Sequence, residues 1–518
     1  MKTTSLAIAL GLAISSQAHA AGFYFSDIGV RAYSRGGAFV AGADDLTAMY
    51  YNPAALTRLE RPQIMINVAG VQQFVDYQRL QETGLGNFVD FSEQVGAGYG
   101  SEPGTPEEES YFEDAKFRSI KNKSPAFVIP HFGFSSKLGT PNTTFAFGFY
   151  PPYAPDLSYD KDGPQRYSLI DTMVIQTSLG PSVAHKFNDW ISVGVGVAWS
   201  VLMAEQSLTI SVPWLKDFNN PINDGKLELN NNTPPNEDRS NDVGFSFDAA
   251  DWGGISWNAG VMIEPPNKRW AFGLMVQPPV KFSADGTMEA DFSGHALSTE
   301  DAYSPFIQTR VILSETVTDK DVTLNITMPL ILKTGFAFRP TEQSEIEFAT
   351  VWQNWSSIQN LVITGLDMVV DVDNELGIGE DKLEDTLIDD DVVMPTYYQD
   401  AWSFRLGGQH HIRKFTIRAG TFYETSAVPK STINVSRLDA NKIGYGLGGS
   451  YRPNNHWSID LGLSQIFFED VTVKNSQIEQ IAVEPITGDF VEGTIVGNGT
   501  YKSSGLIFGA GLNYYFGG

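Results

Sequence analysis

Residues 21–56 read AGFYFSDIGVRAYSRGGAFVAGADDLTAMYYNPAAL. The stretch is glycine-rich, turns helical, and ends at Asn52-Pro53-Ala54, just ahead of the first alternating apolar and polar run. Asn52 is a good helix cap, and Pro53 suits the first helical position, where its missing N–H is not needed. Asp44 and Asp45 favour the start of a preceding short helix, Leu46 to Tyr51, through its dipole. The Gly36-Gly37 pair permits a tight path, and Phe23 and Phe25 can line an apolar pocket. Such a segment is either a helical arm packed on a domain or a stopper inside a hollow one.

Upstream, residues 1–20 have the layout of an export signal. Lys2 gives a minimal basic region, Leu6 to Ile14 a short apolar run, and Ala18-His19-Ala20 a small-residue cleavage site. The apolar run is too short to span a bilayer, which takes about 20 residues. The mature chain is therefore expected to be exported, either as a soluble protein or as an outer-membrane barrel. Without Lys2, 34 of the 35 basic residues remain against 61 acidic ones, a net charge of −27. That balance disfavours nucleic acid, whose phosphates need clustered Lys and Arg. With no cysteine, disulfides, thiolate metal sites and thiol catalysis are excluded.

Downstream, the pattern has period 2. Ile191, Val193, Val195, Val197, Trp199 and Val201 share one face, and Ser192, Gly194, Gly196, Ala198 and Ser200 the other. The last run repeats the arrangement, with Leu506, Phe508, Ala510, Leu512, Tyr514 and Phe516 opposite Ile507, Gly509, Gly511, Asn513 and Tyr515. One face is large and apolar while the other is small and polar, which fits lipid outside and a lined lumen inside. Fourteen such segments are expected, at 63–78, 124–137, 143–151, 170–187, 190–207, 243–264, 269–284, 320–339, 343–355, 400–412, 414–426, 441–452, 456–471 and 503–516. The expected fold is thus all-β, a 14-stranded antiparallel transmembrane β-barrel with an N-terminal helical plug.

The connections test that count independently. Short turns at 139–142, 188–189, 265–268, 340–342, 411–413 and 453–455 fall after the even segments, and mostly longer loops after the odd ones. Alternation of short periplasmic turns with long external loops is the rule for such barrels, and it puts both termini in the periplasm.

Segment 21–56 resembles the N-terminal plug, or hatch, of the FadL-type outer-membrane transporters of long-chain fatty acids and other hydrophobic compounds. The resemblance implies a division into signal peptide 1–20, hatch 21–62 and barrel 63–518 in a Gram-negative outer membrane. Asn52, Pro53 and Ala54 then join Phe23 and Phe25 as candidate ligand-binding residues of the hatch. The terminal Tyr514-Tyr515-Phe516 looks like the signal read by the barrel-insertion machinery, although Gly517-Gly518 follow it. Leu179 to Phe187 resembles the family's fourth strand. Lipopolysaccharide and membrane lipid are the expected surroundings, and a monomer the expected state.

Segment 3 and the residues after it, Phe145 to Pro155, hold Pro151, Pro152 and Pro155. Prolines donate no ladder hydrogen bond, so pairing must stop or the strand must bend away. Either they open an external loop, or with Phe149 they mark a wall defect facing the membrane. In the resembling family a kinked third strand gives hydrophobic ligand a lateral exit.

Alternation points Lys333, Glu345, Glu347, Arg405, Arg418 and Asp460 into the lumen. They either pair into an inner network or leave Lys333, Arg405 or Arg418 to receive a carboxylate, with Arg166 a further candidate. The loop after segment 5 carries Trp214, Leu215 and Phe218, and that after segment 7 carries Phe306. These residues form an external capture groove or simply pack together. The loop from Gly365 to Asp391 holds eleven acidic residues beside Lys382, but Leu376 stands where a calcium loop needs glycine. It reads as a solvated acidic loop, and neither a metal site nor a cofactor is expected.

Three functions compete on these residues. A passive transporter uses the plug and the broken strand, whereas an adhesin needs neither. A hydrolase needs a nucleophile cluster, and the sequence has no G-x-S-x-G. The expected cargo is a fatty acid, with aromatic hydrocarbon as the alternative.

Overall fold

The computed structural model describes residues 27–80, 112–113, 116–154, 156–211, 242–291, 303–304, 309–310, 316–365, 368–373, 382–388, 392–480, 482–483, 490–491 and 495–517. Among them a single closed wall of fourteen strands is present. These are β1 Gln63–Arg79, β2 Phe127–Ser136, β3 Thr143–Tyr153, β4 Asp171–Lys186, β5 Ile191–Ser211 and β6 Asp242–Ile263. Next come β7, in two pieces Trp270–Gln277 and Val280–Asp291, and β8, likewise Thr316–Met328 and Ile331–Thr341. The wall is completed by β9 Ser344–Gln353, β10 Ala401–Ile412, β11 Phe415–Glu424, β12 Lys442–Tyr451, β13 Trp457–Phe468 and β14 Gly499–Tyr515.

Each strand pairs antiparallel with its neighbours in sequence. β1 closes the ring by pairing with β14 from Gln63↔Tyr515 to Arg79↔Gly499, and with β2 from Gln63↔Ser135 to Val71↔Phe127. Closure leaves no edge, the condition for a sheet to cross lipid. No helix of the described residues is long and apolar enough to do so.

Side chains alternate as the pattern requires. On β5, Val195, Val197 and Trp199 are 44–49% exposed on the lipid side, while Gly194, Gly196 and Ala198 face inward and are buried. Six short turns join β2 to β3, β4 to β5, β6 to β7, β8 to β9, β10 to β11 and β12 to β13. Leu138 and Lys268 adopt positive φ in two of them.

Segments 7 and 8 differ from the sequence reading, which ran each without a break. Pro278-Pro279 interrupts β7 and Pro329-Leu330 interrupts β8, because proline supplies no N–H to the ladder. Beyond the breaks both strands continue outward as a paired extension, from Val280↔Met328 to Asp291↔Thr316.

Candidate functional site

Inside the wall lie two one-turn helices, α1 Val30–Tyr33 and α2 Ala48–Tyr51, and a 3-10 helix, Pro53–Arg58. Asn52 caps the last of these by accepting a hydrogen bond from Ala54 N at 3.1 Å. Its amide nitrogen donates to Val40 O within the plug and to Val261 O of β6, at 3.2 and 3.1 Å. Asn52 is thus fully used in holding the plug to itself and to the wall. A β-carbon on Gly194 would overlap Pro53, and one on Gly446 would overlap the Tyr33 carbonyl. The glycine face of the wall is what lets the plug backbone lie directly on it.

Two arginines bolt the plug in place. The Arg35 guanidinium reaches Glu345 at 3.0 Å and Glu347 at 3.2 Å on β9, with both ends buried. Glu347 also accepts the backbone N–H groups of Val40, Ala41 and Gly42 at 2.7–2.9 Å, so one carboxylate gathers three successive amides of the plug. Arg31 reaches Asp460 of β13 at 3.0 Å, Asp44 at 3.1 Å and Asp45 at 3.7 Å. Near the turn ends, Arg58 and Arg339 share Glu264 at 2.9 and 2.6 Å.

The paired aspartates of the plug titrate apart. Burial pushes the Asp45 carboxyl up to about 6, against the pull of Arg31. Burial acts the same way on Asp44, but Arg31, Arg418 and Arg35 together outweigh it and hold that carboxyl well below the usual carboxylate range. Asp45 therefore favours the docked plug in its protonated form. That contribution is complete below about pH 4, near the unfolded value, and is lost as pH rises through 6. Asp45→Asn is expected to remove the slope of plug stability between those two pH values, read by hydrogen exchange of the plug amides. A slope unchanged in the variant would assign it to another group.

The basic residues expected in the lumen separate into paired and unpaired ones. Arg405 is held by Asp27 at 2.5 Å and Glu424 at 3.4 Å, and Glu424 passes the contact on to Lys442 and Asp439. Arg418 donates to Ser450 Oγ at 2.6 Å and Gln409 Oε1 at 3.1 Å. Arg166 lies apart, outward of the plug, in a triangle with Asp242 and the Tyr167 hydroxyl. Lys333 differs from Arg405 and Arg166, which are ion-paired, and from Arg418, which has two neutral side-chain acceptors. Its ammonium is buried, 3.3 Å from Tyr50 O, over the Tyr50 ring at 3.3 Å and near the Tyr51 ring at 5.0 Å. It has no ion-pair partner among the described residues.

Beside this cluster the wall is breached. β2 and β3 pair from Ser136↔Phe145 to Phe132↔Phe149 and no further. Above that point β2 pairs only with β1, while β3 passes through Pro151 and Pro152 and keeps only β4, across a bulge between Tyr150 and Tyr153. The prolines do not end the strand; they turn it away from β2. Behind the breach is a narrow cavity bordered by Tyr33, Asn67, Ile129, His131 and Pro151. Aromatic rings connect it to Lys333: Tyr50 meets Tyr150 edge-on at 5.7 Å, and Tyr150 meets His131 at 6.3 Å.

Phe23, Phe25, Pro155, Trp214, Leu215, Phe218 and Phe306 lie outside the described residues, as does about half of the acidic loop. Of the other candidates, Asn52, Pro53, Ala54, Lys333 and Arg405 lie at the plug, and Phe149, Pro151 and Pro152 at the breach. Sequence reasoning missed Asp27, Arg31, Arg35 and His131. Arg31 and Arg35 stand one helical turn apart on one face of the plug, and two arginines in a segment read as lying inside the barrel are the signal for buried partners.

A lipid-facing barrel stoppered by its own N-terminal segment defines a class of outer-membrane channels for apolar compounds. The chain matches the family Outer membrane protein transport protein (OMPP1/FadL/TodX) over residues 11–516, and it belongs to that family. It is 23% identical to the long-chain fatty acid transport protein of Escherichia coli O6:H1, over 99% of this chain and 98% of that protein. It is 22% identical to outer membrane protein P1 of Haemophilus influenzae, over 77% of each chain. Among solved structures, a Pseudomonas aeruginosa FadL homologue superposes with a TM-score of 0.67 at 17% identity, covering 96% of this chain and 100% of that one. The Pseudomonas putida toluene transporter TodX gives 0.58 at 14%, covering 96% and 100%. The protein is accordingly an outer-membrane barrel of a family made up of transport channels.

Proposed function

We propose that this protein carries long-chain fatty acids passively through the outer membrane, admitting them from outside, holding the head group at Lys333 and releasing them sideways between β2 and β3. In this reading residues 21–62 form the hatch, and the outer loops with Trp214, Leu215, Phe218 and Phe306 make first contact. Lys333 is the observation that carries it. A buried ammonium with no carboxylate of its own is a costly arrangement unless a ligand supplies one. The bolted plug supports a lateral rather than an axial exit, and the Tyr50–Tyr150 rings give the chain an apolar path from Lys333 to the breach.

Lys333→Met is expected to weaken oleate binding to the purified protein by about tenfold to a hundredfold, the worth of a charge-assisted hydrogen bond. Binding of 1-octadecene and toluene should not change. The reading of the substrate as an acid falls if oleate binding survives the substitution. A second reading has its own support, since the Tyr50 face already engages the ammonium and the surrounding rings suit a neutral aromatic. In that case toluene, not oleate, is the tighter ligand of the wild-type protein.

A further inference from the structure

The chain is acidic overall, with a net charge of −26, yet one rim of the barrel is basic. The short turns joining β6 to β7, β10 to β11 and β12 to β13 carry Lys268, Arg269, Arg413, Lys414 and Arg452, all of them exposed. None of the five has an ion-pair partner among the described residues. The turn joining β8 to β9 lies between them. Glu264, at the first turn, is taken by Arg58 and Arg339, which leaves Glu342 as the one exposed carboxylate of the four turns. At the other end of the wall the strands carry exposed acids instead, among them Asp171, Glu205, Asp248 and Asp285.

The four turns make one continuous arc, because each is tied to the next. Arg339 N donates to Arg269 O at 2.9 Å, and the Arg269 guanidinium donates to Pro340 O at 3.0 Å. His411 N donates to Gln343 O at 2.9 Å. Arg452 N reaches Lys414 O at 2.8 Å, and the Lys414 ammonium reaches Pro453 O at 2.8 Å. The cations are thus held side by side on a rigid edge, with charge left over for an anion.

Depth identifies that anion. Trp270 follows Arg269, Phe415 follows Lys414, and Tyr451 precedes Arg452. Phe415 and Tyr451 are 55% and 40% exposed on the lipid side, and their rings stack at 4.9 Å. Aromatic side chains in such a belt sit at the head-group level of a bilayer. Cations one residue further on lie level with the lipid phosphates, and their long stems let the charge reach sideways. A soluble acidic protein would approach along the barrel axis and has no use for the belt.

We infer that this arc binds the phosphates of anionic phospholipids in the leaflet at the turn end of the barrel, which is the periplasmic one. The bound lipids line β6 to β13 and leave the breach between β2 and β3 uncovered. The inference uses neither Lys333 nor the nature of the cargo.

The test titrates the full-length protein, in an uncharged detergent, with phosphatidylglycerol and with phosphatidylcholine, and counts bound lipids by native mass spectrometry. The wild-type protein is expected to favour phosphatidylglycerol by at least about tenfold. Replacing all five cations, Lys268→Gln, Arg269→Gln, Arg413→Gln, Lys414→Gln and Arg452→Gln, should bring the two lipids to within about twofold. Unchanged electrophoretic mobility before and after boiling shows that this variant is folded. Should it not fold, Arg413→Gln with Lys414→Gln alone should still cut the preference at least about threefold. Lys268→Arg with Lys414→Arg should keep it. Equal binding of both lipids by the wild-type protein, or a preference that survives the substitutions, overturns the site. If polyglutamate binds as tightly per charge as phosphatidylglycerol and displaces it, the arc is a face for acidic protein and the lipid assignment falls.

Discussion

Replacing Pro151 with Val and Pro152 with Ser is expected to lower cargo transfer at least about tenfold while leaving the barrel folded, because the substitutions close the breach rather than disturb the fold. The two prolines are the only residues of β3 that lack an N–H, and they stand where β3 parts from β2. Below them Phe132 and Phe149 stack at 5.2 Å and the ladder is intact. Val and Ser restore two N–H groups, of which one faces β2 and the other β4, and β2 still carries unused groups between Phe127 and His131 on the side facing β3. Each ladder bond regained is worth about 1 kcal/mol. In lipid the incentive is larger, since unpaired backbone there costs several kcal/mol unless a cavity or protein covers it. The variant should therefore be at least as heat-resistant as the parent, read by electrophoretic mobility before and after boiling. Wild-type transfer rates in such a variant would sink the lateral route.

Which features the sequence disclosed follows from the reach of the forces involved. Wall strands such as β5 and β14 were legible because a period of 2 is imposed locally by lipid on one face and a crowded lumen on the other. Turn parity was legible because proline, glycine and asparagine act within four residues. The breach was half legible: Pro151 and Pro152 announced lost donors, yet only the register with β2 and β4 shows which neighbour is abandoned. The prolines at Pro278-Pro279 and Pro329 carry the same signal but lie within alternating runs that mask the breaks. Partners of buried charges were not legible at all. Arg35 meets Glu345 and Glu347 across more than three hundred residues of chain, and nothing local distinguishes that pairing from a pairing with Asp460. For the same reason Lys333, Arg405 and Arg418 read alike in sequence. Only packing shows that Arg405 is occupied by Asp27 and Glu424 while Lys333 has ring faces and a carbonyl.

The second large effect concerns the bolt at Glu347. Glu347→Gln preserves size and one acceptor oxygen, which can still serve Val40 and Ala41. The other position becomes an amide nitrogen, a donor facing two donors, Gly42 N and Arg35 Nη2, both of which Glu347 Oε2 now accepts. Breaking a buried pair from one side generally costs about 3–5 kcal/mol, because the remaining charge stays buried. Arg35 keeps Glu345, which brings the expected loss of plug docking toward the lower end of that range. The plug should then visit undocked states far more often, and ion conductance through single barrels in planar bilayers should rise at least about tenfold. Strand stability should be unaffected, since the wall ladder does not involve the Glu347 side chain. Transfer of oleate supplies the decisive contrast. If cargo leaves sideways at β2 and β3, loosening the plug opens the lumen to ions without speeding the cargo. If conductance and oleate transfer rise together, the plug itself is the gate and the breach in the wall is not the exit.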